Sequence, residues 1–224
     1  MHRPNWNSIW IIGAGRFGQL AGQRICKAWP QCAVTLVDSK PMHLENGLCN
    51  QIRWVHADGI RFLAEALNGK DDPDWIVPAA PVHVAYEWIR SKLALQFAFE
   101  TVTIPRSAAD RLPNPQPGKA GTLYFSNATW VCPDDCPEPV ESCTVTGEAH
   151  TCIVYRTLEE LQIKGFETVV IRSWQLLPGV GGYTPDALAA ALDRVRAAKV
   201  QLLLSTACRC HGVMDAFRLI SLKG

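Results

Sequence analysis

Short apolar runs and helical apolar stripes take turns along the first hundred residues. Residues 8–12, Ser-Ile-Trp-Ile-Ile, form an apolar run of the kind found in strands covered on both faces. After a glycine turn, Phe17, Leu20, Ala21, Ile25 and Ala28 recur at helical spacing, and Pro30 stops the stripe. Residues 33–37 form a second apolar run ending in Asp38, and residues 51–56 a third, followed by Asp58. Ile60, Leu63, Ala64 and Leu67 share a helix face that Asn68-Gly69 closes. A fourth strand over 74–78 leads into a helix over 82–97, with Val82, Ala85, Trp88, Ile89 and Leu93 available to pack. Strands alternating with helices at this spacing predict an α/β fold, a doubly wound parallel sheet.

From about residue 105 the texture changes. Pro113, Pro115, Pro117, Gly118 and Gly121 mark an excursion, and residues 122–126 suit a strand. Regular patterning resumes with a buried strand over 166–172 and a glycine loop at 179–182. Thr184 and Pro185 then have the composition of a helix cap and first turn, and Ala187, Leu188, Ala191, Leu192 and Val195 carry the apolar stripe. A last strand over 199–204 runs into Cys208-Arg-Cys210-His211. The expected organisation is a dinucleotide-binding core over 1–104, a cysteine-rich insertion over 105–157, and a part over 158–224 that completes the same sheet. The glycine loop at 179–182 is either a second anion site or a plain strand-to-helix connection.

Composition removes several function classes. A net charge of +1 over 224 residues gives no electrostatic case for nucleic acid or an anionic membrane. No apolar window reaches the length of a membrane span, and residues 1–7 lack a signal-peptide core, so a cytoplasmic chain without membrane insertion is expected. Nine cysteines, an odd number, argue against a complete disulfide framework. Nothing in the composition opposes a homo-oligomer.

The turn Gly13-Ala-Gly15-Arg16-Phe17-Gly18 supplies the chemistry of the first half. Gly13 permits the tight turn, Gly15 lets backbone approach a pyrophosphate, and Gly18 lets the helix lie close to the sheet. Asp38, twenty residues past Gly18, stands where a carboxylate accepts hydrogen bonds from an adenosine ribose. It favours NAD over NADP by repelling a 2′-phosphate, while Lys40 works against that preference. Asp58 is either near the adenine or a helix cap. The arrangement is of the Rossmann kind.

These residues resemble the TrkA-N type of NAD-binding domain, the regulatory nucleotide-binding domain of potassium transport systems. The resemblance rests on residues 13–18, Val37-Asp38 and Ala57-Asp58-Gly59, and covers about 8–100. It implies a ligand-responsive NAD(H) site with Gly13, Gly15, Arg16, Phe17 and Gly18 at the dinucleotide, Asp38 on the ribose and Asp58 near adenine. The second half departs from that family.

Further chemistry sits outside the turn. His83, after the fourth strand, is either an acid or base beside a nicotinamide or an ordinary first-turn polar residue. Cys132, Cys136 and Cys143 fall within twelve residues stiffened by prolines, with His150 and Cys152 following. Such a loop suits zinc or an iron-sulfur cluster, and the spacing Cys-x3-Cys-x6-Cys does not choose between them. Cys208, Cys210 and His211 are candidates to complete the metal site, to form a redox pair, or to act as nucleophile and base. Alternation along a strand would place both cysteines on one face. Two functions follow. One is an NAD-linked oxidoreductase with a metal near the cofactor and His83, Cys208, Cys210 and His211 around the reacting centre, acting on an unknown small molecule. The other is a nucleotide or redox sensor coupled to a protein partner.

Overall fold

A computed structural model describes residues 6–41 and 51–222. The chain is a mixed α/β protein with a parallel four-stranded sheet. Strand β1 (Ser8–Ile12) is followed by α1 (Arg16–Ala28), β2 (Ala33–Asp38), β3 (Ile52–His56), α2 (Gly59–Ala66) and β4 (Trp75–Pro78). The four strands lie in the order β3-β2-β1-β4, every pairing parallel. Helix α1 makes the crossover from β1 to β2, and α2 the one from β3 to β4. Ile9, Ile11 and Ile12 of β1 are all buried, which explains a strand without alternation.

The next elements are α3 (Val84–Leu93), β5 (Phe97–Thr101), α4 (Arg106–Ala109), β6 (Gln116–Pro117), β7 (Leu123–Ser126), α5 (Val154–Glu159) and β8 (Phe166–Arg172). A hairpin of β9 (Trp174–Leu177) and β10 (Val180–Gly182) leads to α6 (Pro185–Ala197), and β11 (Gln201–Ala207) and β12 (His211–Ser221) complete the order. Thr184 caps α6, its side chain accepting the Ala187 N–H at 3.2 Å, as its composition suggests.

The later strands do not extend the first sheet. They build a second one, in the order β6-β7-β12-β11-β8 with β5 also on β12. Strand β11 is parallel to β8 but antiparallel to β12, so a hairpin at 208–210 replaces the crossover that a continuous parallel layer would need. Strand β5 belongs to this second sheet although it lies inside the expected 1–104 core. The expected helix over 82–97 is correspondingly shorter. An isolated bridge between Ile76 of β4 and Tyr183, the residue after β10, ties the first sheet to the β9–β10 hairpin, with N–H to carbonyl distances of 2.9 and 3.0 Å.

One core runs through both sheets. Ile12, Val37 and Ile76 of the first pack in a cluster with Val169, Ile171, Leu202, Leu204 and Phe217 of the second, with α3 and α6 between them. Among the described residues no helix is long and apolar enough to cross a membrane. Among the described residues seven cysteines are free thiols, and Cys26 is disulfide-bonded.

Candidate functional site

The carboxyl ends of β1, β2 and β4 open onto a cavity of about 720 Å³. Ligand sites run to about 300–1,000 Å³. Each glycine of the turn does a separate job. Gly13 has φ +105°, and a Cβ there would lie 2.6 Å from the Ala80 backbone nitrogen. A Cβ on Gly18 would lie 1.9 Å from the Gly13 carbonyl oxygen, so α1 sits directly against the turn. Gly15 is different: a Cβ there meets nothing within 4 Å, and the residue lines the cavity. Close packing demands glycine at 13 and 18, whereas at 15 the space stays open for a ligand.

Asp38 also lines the cavity. Its Oδ2 accepts the Ala14 N–H at 2.7 Å and its Oδ1 the Lys40 N–H at 2.9 Å. These bonds fix the carboxylate at the rim and fix the glycine turn to it. Asp58 lines the same cavity and caps α2, its Oδ1 accepting the Arg61 N–H at 2.9 Å. The two readings of Asp58 are therefore compatible.

Arg16 and Phe17 do not line the cavity. The Arg16 guanidinium forms an ion pair with Asp134, and Phe17 is 60% exposed. Arg24, two turns further along α1, donates to the Asp134 carbonyl at 2.6 Å and to the Pro178 carbonyl at 3.1 Å. The cysteine-rich segment is thereby fastened to the helix that begins at the glycine turn. Gly179, φ +71°, is the corner of the β9–β10 hairpin and donates to the Cys136 carbonyl at 3.0 Å. Residues 179–182 are thus the corner and second strand of a hairpin, held to the cysteine segment at Gly179, and not a strand-to-helix loop.

His83 is not at the cavity. It is 6% exposed; its Nδ1 donates to Asp215 Oδ2 at 2.6 Å and its Nε2 lies 2.9 Å from the Thr206 hydroxyl. Thr122 donates to the other Asp215 oxygen at 2.6 Å. Both ring nitrogens are used in tying the start of α3 to β11 and β12, so the histidine has no free nitrogen to offer a substrate.

The thiols gather at a second cavity of about 270 Å³, lined by Cys132, Cys136, Cys143 and Cys210 together with His150 and His211. The Cys132 sulfur lies 3.5 Å from His211 Nε2, and the Cys210 sulfur 3.8 Å from His150 Nδ1. Cys143 accepts the Val145 N–H at 3.4 Å; backbone N–H donors from Thr146 and Val145 hold this thiol below its ordinary range. Burial pushes Cys210 up to about 12, with Glu138 adding to the rise, and burial pushes Cys132 up as well.

Cys208 stands apart. It does not line this cavity, and burial together with the neighbouring Glu138 carboxylate, to which its thiol hydrogen-bonds, drives it far upward. Cys208 and Cys210 occupy a turn closed by the Cys208 N–H on the His211 carbonyl at 2.9 Å, so strand alternation does not govern them. Burial holds His211 toward the neutral imidazole. Thiols this protonated do not serve as thiolate nucleophiles near neutral pH. Among the described residues no three His, Cys, Asp or Glu side chains are grouped as metal ligands.

Glu138 was not visible as a functional residue in the sequence. It is 7% exposed with φ +50°, and its carboxylate accepts the Arg209 N–H. An acidic residue between two prolines gives no sign of burial.

A family model described as the C-terminal domain of an uncharacterized protein matches residues 85–220. A protein of Archaeoglobus fulgidus, itself described as uncharacterized, is 28% identical over 223 residues, covering 93% of this chain and 98% of that one. No solved structure matches.

Proposed function

We propose, for a chain that belongs to the family of this C-terminal domain, that the preceding glycine turn binds NAD(H) and that the protein is an NAD-linked oxidoreductase. The observation that carries the reading is Gly15, which faces an open cavity at the start of α1, with the Asp38 carboxylate beside it on the Ala14 N–H. The order β3-β2-β1-β4 supports a Rossmann-like, doubly wound half, and the resemblance to TrkA-N domains points the same way. The free N–H groups at the start of α1 suit a pyrophosphate. Asp38 accepts ribose hydroxyls and repels a 2′-phosphate, giving NAD over NADP. The dinucleotide would supply hydride transfer. This chain's residues bind and orient it, with Pro81 and Val82 forming the apolar wall below β4.

A second reading, a nucleotide-state sensor, draws on the Arg16–Asp134 ion pair. It joins the glycine turn to the thiol segment, and a change at one is felt at the other.

Titration calorimetry with NADH and NADPH tests the binding. NADH is expected to bind at least about tenfold tighter, a difference of about 1.4 kcal/mol. Gly15→Ala is expected to retain the fold and lose both ligands. Unchanged NADH affinity in that variant removes the assignment. Oxidation of NADH by a panel of acceptors separates enzyme from sensor.

A further inference from the structure

Residues 127–153 join β7 to α5, and the bridge of Ser142 with Ala149 is the one strand-like pairing described within them. Irregular segments of this length are uncommon in a compact domain and need something other than local secondary structure to fix them. Apolar packing is not the main device here, since Val131, Val140 and Val145 are exposed at 95%, 59% and 50%. The interior of the segment holds sulfur instead. Cys132, Cys136 and Cys143 come from three places along it, and Cys210 comes from the β11–β12 turn, yet all four line one small cavity and all are free thiols.

We propose that Cys132, Cys136, Cys143 and Cys210 form a four-thiolate site for a soft metal centre, zinc or an iron-sulfur cluster, which clamps the 127–153 segment onto the β11–β12 turn. Four sulfurs satisfy either centre. The sulfurs line the wall of the cavity rather than meeting at a point, so side-chain rotations must bring them to about 2.3 Å from a zinc ion. An irregular loop allows such rotations more readily than a helix or strand.

The surroundings select these four. Cys208 lies outside the cavity. Cys152 lies outside the cavity, its thiol 3.6 Å from Asn127 Oδ1. His150 lines the cavity beside Cys210, its ring nitrogens 3.8 and 3.9 Å from the sulfur, and is held through Nε2 on the Pro139 carbonyl at 3.1 Å. Binding is an exchange of protons for metal: S–H bonds break, S–metal bonds form, and the protons pass to solvent. No oxidant is needed for zinc or for a cluster transferred preassembled, since neither changes oxidation state on binding.

The test uses the full chain and does not depend on the dinucleotide reading, because Gly15→Ala is expected to keep the metal. The reduced, metal-stripped protein is alkylated with iodoacetamide, with and without Zn²⁺, and mapped by mass spectrometry. Cys132, Cys136, Cys143 and Cys210 are expected to label several-fold more slowly with Zn²⁺, and Cys152 at an unchanged rate. Titration with Co²⁺ is expected to give the sulfur-to-cobalt charge-transfer and d–d bands of a tetrahedral thiolate site, lost in Cys136→Ser and Cys143→Ser and kept in Cys152→Ser. Iron with acid-labile sulfide in protein purified without oxygen identifies a cluster; zinc in a colourless protein identifies the mononuclear site. Equal labelling with and without Zn²⁺, no cobalt-thiolate bands and no iron or sulfide in the wild-type chain would overturn the proposal, whatever the serine variants do.

Discussion

A single methyl group separates the roles of neighbouring glycines. Gly13→Ala forces a side chain into φ +105° and onto the Ala80 backbone, and is expected to lower stability by more than about 1 kcal/mol in urea unfolding. Gly15→Ala meets open space and is expected to leave the urea midpoint unchanged while abolishing ligand binding. His83 belongs to another class of effect. His83→Ala strands the buried Asp215 carboxylate and should cost about 3 kcal/mol. Arg218→Ala, which breaks a half-exposed pair with Glu100, should cost no more than about 1 kcal/mol. Cys32 offers an internal control. It is 1% exposed, and burial pushes its thiol up to about 11, so at pH 8 it stays protonated and native-state alkylation should miss it. The glycines were legible because their roles depend on neighbours in sequence. The role of His83 was not, because Thr206 and Asp215 lie 123 and 132 residues away.

Elements show the same division. Strands β1, β2 and β4 and helices α1, α2 and α6 follow from local apolar periodicity and their stop signals, to within a few residues. Thr184→Ala is expected to cost about 1 kcal/mol by removing the α6 cap, measurable by urea unfolding. Strand β12 escaped the pattern. Its centre, Met214 to Phe217, is buried without alternation, and Asp215 in its middle resembles a break until its partners His83 and Thr122 are known. Strand β5 was absorbed into the preceding helix because Phe97 and Phe99 continue an apolar run across the boundary. The run of thiols from Cys132 to Cys143 was legible in the sequence, but its meeting with Cys210 at one cavity was not, since Cys210 joins the other thiols only through the β11–β12 turn. If a metal clamps that segment, chelation should make 127–153 the first site of limited proteolysis, with the β-sheets left intact in circular dichroism.

At the scale of the molecule, parallel strands on both sides of the insertion suggested one continuous layer; the structure has separate four- and six-stranded sheets because β11 turns back through a hairpin into β12. Nothing local in residues 201–212 distinguishes a strand that ends from one that reverses. The sheets are nevertheless joined by the His83 network and a common core. Unfolding followed by tryptophan fluorescence and by far-ultraviolet circular dichroism should therefore coincide in one transition. Six of the eight tryptophans lie before residue 89, so independent halves would separate the two signals.

The placement of β5 carries a practical consequence for anyone wishing to divide the protein. A cut after residue 104 leaves an orphan edge strand bearing Phe97 and Phe99 on the first fragment, a ready template for intermolecular pairing. Moving the cut ahead of β5 spares that edge but strips the apolar faces of α3 from α6, β8 and β11. Neither scission yields two clean modules, and a split reporter, a chimera or a minimal binding fragment made from this chain would have to carry both sheets.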